Sequence, residues 1–241
     1  MRKSNWTAII PAAGKSTRFK TKKNKIFYKY KNKSILEHIL LKVSNFSNKI
    51  FLVVNQHDEK DCKLVIKKFK KKNIKIVIQK KINGMATAIQ LALKSTKTTN
   101  FFTIWADQLG LSKSTIGKSI KSHEENDFLV TFPAVLKSKP YTLINFKDDR
   151  FLKNIKQSRE TKISKKKGYS DCGFFCCKTK ILKEQLTQLI KSRKIITKKT
   201  KEFDFLLSLN ILTKKYKIRV IRSSNIKDSV GINFKQDLNL L

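Results

Sequence analysis

Short apolar runs alternate with segments of helical periodicity along the first 135 residues of this 241-residue chain. Such runs are typical of buried strands, and apolar residues at every third or fourth position indicate helices. The predicted strands cover residues 6–11, 50–54, 74–78, 101–105 and 128–133, and the predicted helices cover residues 35–46, 58–72, 85–93 and 112–125. Because consecutive parallel strands need crossover helices, this half predicts an α/β fold with a mostly parallel central sheet flanked by helices on both faces.

Two of these helices carry additional signals. Ser34 and Glu37 have the spacing of a capping box at the start of the first helix. In the helix predicted at 58–72, Leu64, Val65 and Phe69 are expected to point toward the core.

The pattern changes after Lys137. Strands predicted at 141–146, 151–155, 173–177 and 217–222 accompany helices predicted at 179–191 and 201–214. Several of these strands follow one another closely, so we expect a small antiparallel β subregion in the second half. No linker rich in glycine and proline separates the two halves, and we therefore predict a single domain over residues 1–241.

Composition favours a globular protein with a basic surface. Lys and Arg number 55 against 17 Asp and Glu, a formal net charge of +38, and 40% of the residues are hydrophobic. The lysines are spread over the whole chain without an RNA-binding motif or zinc-finger spacing, which argues against a nucleic-acid partner. The absence of a long apolar run and of a signal-peptide pattern predicts a cytoplasmic protein with no membrane partner. The three histidines, His38, His57 and His123, show no metal-ligand spacing and are predicted to lie on the surface.

The stretch IIPAAGKSTRF, residues 9–19, contains a loop that directly follows the first predicted strand. Gly14-Lys15-Ser16 matches the end of a P-loop, but the first glycine of that motif would fall on Ile9, inside the strand. Pro11 also lacks an amide that such a loop would turn toward phosphate. Ligands of open parallel sheets bind at the carboxyl ends of the strands, so this loop and Asp107, after the fourth strand, are predicted to share one site.

Five segments carry a family resemblance. They are AAGKSTRF (12–19) followed by Asn24-Lys25, IQKKINGMATAIQLAL (78–93), TIWADQ (103–108), SDCGFF (170–175) and VGIN (230–233). Together, and in this order, they resemble the sugar-phosphate nucleotidyltransferases of GT-A-like fold, most closely the pyrophosphorylase domain of N-acetylglucosamine-1-phosphate uridylyltransferase. The resemblance implies a nucleotide-binding half in residues 1–135 and an acceptor-binding and closing half in residues 136–241.

The resemblance also implies a role for particular residues. The nucleotide-binding residues would be Ala12, Ala13, Gly14, Lys15, Ser16, Thr17, Gln79, Gly84 and Met85. Arg18 and Lys25 would be the catalytic cations, with Lys15 and Lys22 as alternatives to Lys25 in this lysine-rich segment. Asp107 and Asn233 would hold Mg²⁺, a hard ion that prefers oxygen ligands. Tyr141, Gln157 and Asp171 would contact the acceptor.

Several positions depart from the family pattern. Ser16 replaces a glycine, Asn24 a proline, Met85 a threonine and Asp171 an asparagine, and Gln157 or Lys156 falls where a glutamate is usual. We predict transfer of a nucleoside monophosphate from an NTP, with UTP favoured, to a sugar 1-phosphate, with release of pyrophosphate. The alternative is a cytidylyltransferase or another nucleotidyltransferase that uses a polyol or methylerythritol phosphate, since I-P-A-A-G is similar to that group as well. A nucleic-acid-binding protein of the same fold is the less favoured hypothesis. The sequence does not predict the oligomeric state.

Overall fold

The computed structural model describes residues 5–21, 23–69 and 73–241. Within these ranges it contains one sheet of ten strands and a separate sheet of two strands, together with six α-helices. In chain order the strands are β1 (Trp6–Pro11), β2 (Lys29–Tyr30), β3 (Lys33–Ser34), β4 (Lys49–Val54), β5 (Ile74–Ile78), β6 (Asn100–Ile104), β7 (Val130–Ser138), β8 (Thr142–Lys147), β9 (Phe151–Gln157), β10 (Lys167–Asp171), β11 (Phe174–Lys178) and β12 (Ile218–Ser223). The α-helices are α1 (Ile35–Val43), α2 (Glu59–Lys67), α3 (Met85–Leu93), α4 (Lys113–Glu124), α5 (Thr179–Lys191) and α6 (Phe205–Leu212).

The large sheet runs in the order β5-β4-β1-β6-β11-β7-β12-β9-β8, and β10 pairs with β7 beside this path. β1 pairs in parallel with both β4 and β6, and β4 pairs in parallel with β5. After β1 the chain therefore extends the sheet in one direction and returns to the other side of β1 with β6. This reversal is a switch point, where open α/β sheets bind ligands beyond the carboxyl ends of their strands. The predicted α/β fold class is confirmed.

The antiparallel strands of the second half belong to the same large sheet. β8 and β9 form a hairpin, β10 pairs with β7, and β11 lies between β6 and β7, antiparallel to both. The separate two-stranded sheet, β2-β3, lies instead in the first half, directly before α1. The antiparallel subregion predicted for the second half is thus an extension of the central sheet.

Alternating side chains of the strands feed two apolar cores, one on each face of the sheet. In β1, Ile9 belongs to the core covered by α3, α5 and α6, whereas Ala8 and Ile10 belong to the core covered by α1, α2 and α4. This alternation follows from the two-residue period of a strand. Within the described ranges, no helix combines the length and the apolar character needed to cross a bilayer.

Two of the predicted helices differ from the observed ones for local reasons. The helix predicted at 58–72 ends at Lys67, and residues 70–72 of that prediction lie outside the described part of the chain. The inward orientation predicted for Leu64 is wrong, because Cys62 and Val65 occupy the buried face of α2 and leave Leu64 52% exposed. The helix predicted at 201–214 begins only at Phe205, because the Asp204 side chain accepts a hydrogen bond from the Leu207 N–H and caps it there.

His123 is the clearest error of surface prediction. Its ring is 1% exposed, packs against Trp6 and lies 3.0 Å from the Thr131 hydroxyl through Nδ1. Burial, with the charge of Lys178 as a smaller cause, lowers the pKa of His123 to about 4. His57 is exposed, as predicted, and His38 is half-buried with Nε2 2.8 Å from the Tyr30 carbonyl.

We expect His123 to make the folded chain less stable in mild acid. An unfolded histidine takes up a proton near its ordinary pKa of 6.5, whereas the folded His123 stays neutral until about pH 4. Between these values only the unfolded chain binds the proton, so lowering the pH from 7 to 5 should cost about 2 kcal/mol of unfolding free energy. Urea denaturation at both pH values measures this cost. His123→Leu should remove it and the exposed His57→Gln should keep it; equal pH dependence in wild type and His123→Leu would contradict the assignment.

Candidate active site

The loop that follows β1 lies at the switch point of the sheet. Its first residue is fixed by a hydrogen bond from the Ala12 N–H to the Val53 carbonyl of β4 at 2.7 Å. Ala12 and Ala13 are buried, and Gly14, Lys15 and Thr17 are exposed. A short 3-10 turn, Thr17–Phe19, ends the loop and buries Phe19, which places Arg18 at the surface.

Three buried polar residues, Asn24, Asn55 and Asp58, hold the backbone of this loop in place. The sequence analysis did not predict this role for any of them. Asn24 donates from Nδ2 to the Gly14 carbonyl at 2.8 Å and to Asp58 Oδ2 at 2.7 Å. Asn55 donates from Nδ2 to the Ala13 carbonyl at 3.2 Å and to the same Asp58 oxygen at 2.6 Å. Two consecutive carbonyls of the loop are therefore held by side chains that come from two other parts of the chain.

Lys25 and Asp107 form an ion pair just beyond the end of β6. Lys25 begins the 3-10 turn Lys25–Phe27, Asp107 follows β6, and Lys25 Nζ lies 2.5 Å from Asp107 Oδ2. The side chains are only 14% and 21% exposed, so solvent screens this pair less than a surface pair. Lys15, an alternative to Lys25, lies exposed in the loop, and Lys22 lies outside the described residues.

Asn233 is held beside Asp107 by the backbone. The Ile232 N–H donates to the Asp107 carbonyl at 2.9 Å, and the Asn233 N–H donates to the Asp237 carboxylate at 2.7 Å. Asp228, a nearby carboxylate, is fully buried and accepts hydrogen bonds from four groups near the start of α4 and the end of β12. Asp228 is therefore occupied as a structural cap, whereas Asn233 and Asp107 both line one cleft.

A cleft of about 430 Å³ opens beside these residues. Its lining contains seven of the residues predicted for the site: Arg18, Met85, Asp107, Tyr141, Gln157, Asp171 and Asn233. It also contains Lys137, Thr142, Arg159 and Asp204, which were not predicted as site residues. Arg18 and Asp107 thus line one cavity, whereas residues 12–17, Lys25, Gln79 and Gly84 are outside its lining.

Gln79 and Gly84 lie together at the end of β5. The Gln79 side chain is buried and donates from Nε2 to the Gly84 carbonyl at 3.2 Å and to the Thr87 hydroxyl at 3.0 Å. Gly84 has φ 124°, and a Cβ at this position would lie 2.3 Å from the Phe203 carbonyl oxygen, so only glycine fits against this backbone. The nucleotide-binding role of both residues stays a prediction.

Two of the residues predicted to contact the acceptor, Gln157 and Asp171, are held by hydrogen bonds inside the chain. Gln157 donates from Nε2 to Asp204 at 2.9 Å and accepts from Arg159 Nε at 3.1 Å, and Arg159 also pairs with Asp204 at 2.6 Å. Asp171 accepts from the Thr142 hydroxyl at 2.6 Å and from the Gly173 N–H at 2.8 Å. Burial raises the pKa of Asp171 against the opposing effect of these hydrogen bonds.

Two residues that line the cleft, Asp107 and Asn233, suit a magnesium ion. The described ranges contain no cluster of three or more His, Cys, Asp or Glu side chains with metal-binding spacing. Mg²⁺ does not need such a cluster, because it is usually held by one or two protein oxygens together with substrate phosphates and water. A carboxylate and a carboxamide, from Asp107 and Asn233, line the cleft. Their donor chemistry therefore fits Mg²⁺.

The sheet, the loop at its switch point and the polar cleft beside them define a nucleotidyltransferase of the NTP transferase type. The chain belongs to the family of MobA-like NTP transferase domains, which matches residues 8–167.

Comparison with individual proteins gives the same class. The bifunctional protein GlmU of Buchnera aphidicola subsp. Schizaphis graminum is 27% identical over 242 residues, which cover 100% of this chain and 51% of that protein. The chain thus spans about half the length of the curated relatives that it matches. A Bacillus anthracis structure described as a glucose-1-phosphate thymidylyltransferase has a TM-score of 0.75 at 16% identity, covering 97% of this chain and 99% of that chain. The inositol-1-phosphate CTP transferase of T. maritima has a TM-score of 0.73 at 17% identity, covering 91% of this chain and 86% of that chain.

Proposed function

We propose that this chain transfers UMP from UTP to a sugar 1-phosphate and releases pyrophosphate. The observation that carries the proposal is the Lys25–Asp107 ion pair, because Asp107 lines a cleft that Arg18, Tyr141 and Asp171 line as well. A nucleoside triphosphate and its acceptor have to meet at such a point. The division into a nucleotide-binding half and an acceptor-binding half is part of this proposal.

The proposed reaction needs no general base. An oxygen of the acceptor phosphate attacks the α-phosphorus, the bond from that phosphorus to the bridging oxygen breaks, and pyrophosphate leaves with the electron pair. The attacking oxygen is already anionic near neutral pH, because the second pKa of a phosphate monoester is about 6. The barrier then lies in bringing two polyanions together, so catalysis consists of positioning and of positive charge placed in advance.

Arg18, Lys25 and the amides of the loop would supply that charge. Arg18 has a planar fork of donors for the phosphate oxygens, and the N–H groups of residues 12–17 would hold the triphosphate. Lys25 would leave Asp107 for the phosphates once these are bound. Asp107 and Asn233 would hold Mg²⁺, which when bound offsets the negative charge on the phosphate oxygens. Both proposed cationic side chains, Arg18 and Lys25, come from the segment that follows β1.

The similarity to GlmU over the whole chain supports UTP and a sugar 1-phosphate. The second candidate is CTP with a polyol phosphate, which the structural similarity to an inositol-1-phosphate CTP transferase favours. Gln157 donates to Asp204 and accepts from Arg159, and these bonds fix the direction of its carboxamide. Gln157, Asp171 and Tyr141 stay the predicted acceptor contacts. A cytoplasmic location remains part of the proposal.

Pyrophosphate release separates the two candidates. The purified chain is incubated with Mg²⁺, with each of the four NTPs in turn and with a panel of sugar 1-phosphates, inositol phosphate and methylerythritol phosphate. We expect the highest kcat/KM for UTP with a sugar 1-phosphate. Product from CTP alone would overturn the uridylyl assignment and support the second candidate, and a reaction with UTP and a polyol phosphate would overturn only the acceptor class.

A further inference from the structure

Ser16 has a backbone conformation that normally favours glycine. Its φ and ψ are 53° and 29°, in the left-handed region that residues with a side chain seldom adopt. The Ser16 hydroxyl donates to Asn24 Oδ1 at 2.6 Å. This hydrogen bond links the serine side chain to Asn24, which also binds the Gly14 carbonyl of the loop.

Asn24 is the centre of this arrangement. The residue is 9% exposed; its Oδ1 accepts from Ser16 and from the Ile26 N–H at 3.3 Å, and its Nδ2 donates to the Gly14 carbonyl and to Asp58. Asp58 is 5% exposed and is held by Asn24, by Asn55 and by its own N–H, which donates to Asn55 Oδ1 at 2.8 Å. No Lys, Arg or His of the described residues forms an ion pair with Asp58, so its charge is offset by amide donors.

The hydrogen bonds to the Ala13 and Gly14 carbonyls determine where the following amides of the loop point. In a planar trans peptide, the C=O and the following N–H point in opposite directions. Asn55 binds the Ala13 carbonyl, so the Gly14 N–H points away from the buried cluster. Asn24 binds the Gly14 carbonyl, so the Lys15 N–H points away from it as well. Two adjacent amides are thereby presented together, as in backbone sites that bind anions.

We propose that Ser16, Asn24, Asn55 and Asp58 are positioning residues that aim the N–H groups of Gly14 and Lys15 at the triphosphate. We further propose that Ser16 and Asn24 act as a coupled pair, in which the hydroxyl bond to Asn24 holds Ser16 in its left-handed conformation. The identity of the anion rests on the proposed function. The direction of the amides and the coupling of the pair rest on the hydrogen bonds alone.

The backbone of Asn24 offers a sharp test, because its φ of −56° is the value that proline requires. Asn24→Pro should therefore keep the backbone and remove the hydrogen bonds of the Asn24 side chain to Ser16, Gly14 and Asp58. We expect it to weaken the binding of Mg²⁺-UTP and of Mg²⁺-CTP about tenfold. The KM for the NTP should rise by a similar factor, while the KM for the acceptor should change less than twofold, a split that a general loss of stability would not produce.

The coupling predicts that the effect of Ser16→Gly changes sign. In the wild-type background this change removes the hydroxyl bond and should weaken NTP binding about threefold. In the Asn24→Pro background the serine has lost its partner and keeps only its unfavourable conformation. There, Ser16→Gly should strengthen binding about threefold, because glycine enters the left-handed region freely.

Calorimetric titration of each variant with Mg²⁺-UTP and Mg²⁺-CTP, without acceptor, measures these effects. Asn145→Ala is the matched control, since it breaks a 2.8 Å side-chain bond to Asn154 in the β8–β9 hairpin and should leave binding unchanged. Wild-type affinity in Asn24→Pro, or additive effects in the double variant, would overturn the inference. A wild-type chain that binds neither nucleotide would overturn the proposed function instead. If Asn24→Pro does not fold, Asn24→Ala serves the same comparison with the same expected loss.

Discussion

Asp107→Ala is expected to lower kcat/KM by about three orders of magnitude. The change removes the carboxylate that would hold Mg²⁺, and it removes the partner that fixes Lys25 at 2.5 Å. Loss of one preorganised electrostatic group in an active site typically costs a factor of about 10² to 10³. Steady-state pyrophosphate release measures the loss. Asp107→Asn, which keeps the size of the side chain, should lose nearly as much, because an uncharged carboxamide is a weaker ligand for a hard cation.

Asp127→Ala is the matched control for this experiment. Asp127 pairs with Lys178 at the same 2.5 Å, but it is 96% exposed and lies outside the lining of the cleft. Activity should be unchanged, since such surface pairs contribute little. If Asp107→Ala kept its turnover, the proposed site would be wrong. Binding of nucleic acid that persisted in Asp107→Ala and fell steeply with added salt would support the less favoured reading of a nucleic-acid-binding protein.

Lys25→Met is expected to lower kcat by a factor of about 10² to 10³. Lys25 is the described lysine whose ammonium contacts Asp107, and in the proposed reaction it would bridge the phosphates as negative charge grows. Methionine has a similar length and no charge, so the change tests the charge more than the packing. The effect should appear mainly in kcat, because the interaction is proposed to strengthen in the transition state.

Lys15→Met tests one of the two alternatives to Lys25 that the sequence left open. Lys15 lies exposed in the loop, and its loss should reduce kcat/KM less than tenfold. A larger effect from Lys15→Met than from Lys25→Met would transfer the catalytic role to Lys15. The double variant Asp107→Ala/Lys25→Met should be only slightly worse than the poorer single variant, because residues that act as one unit are not additive.

The alternation of apolar runs and helical segments was enough to predict most of the fold. Strands β1 and β5 appear at the predicted residues, because their apolar runs are bounded by loops. β1 is buried throughout, whereas β5 lies at the edge of the sheet and is half-buried. Tertiary packing decided the remaining details. Leu64 was predicted inward, yet Cys62 fills that face of α2, and His123 was predicted at the surface, yet Trp6 covers it. The type of a polar or weakly apolar residue does not reveal which side chains will pack against it in the folded chain, and so does not reveal whether it is buried.

The candidate site divides in the same way. Arg18, Asp107 and Asn233 belong to short motifs, so their common cleft could be predicted from sequence order and from the switch point of the sheet. The support of the loop could not, because Asn24 and Asp58 are 34 residues apart and match no motif as a pair. The same holds for Arg159 and Asp204, which are 45 residues apart. Buried polar partners of this kind are set by the packing of distant segments, and a single sequence carries no signal for them.

The position of β11 limits how this enzyme can be rebuilt. β11 comes from the second half of the chain but lies between β6 and β7 of the first half, and the Trp105 N–H beyond β6 donates to the Gly173 carbonyl at 2.9 Å. A fragment ending near residue 135 would lose the strand beside the one that leads to Asp107, and would expose an open sheet edge prone to aggregation. Exchange of acceptor preference between relatives by swapping C-terminal pieces should therefore fail at the level of folding. Point changes along the cleft are the workable route for engineers.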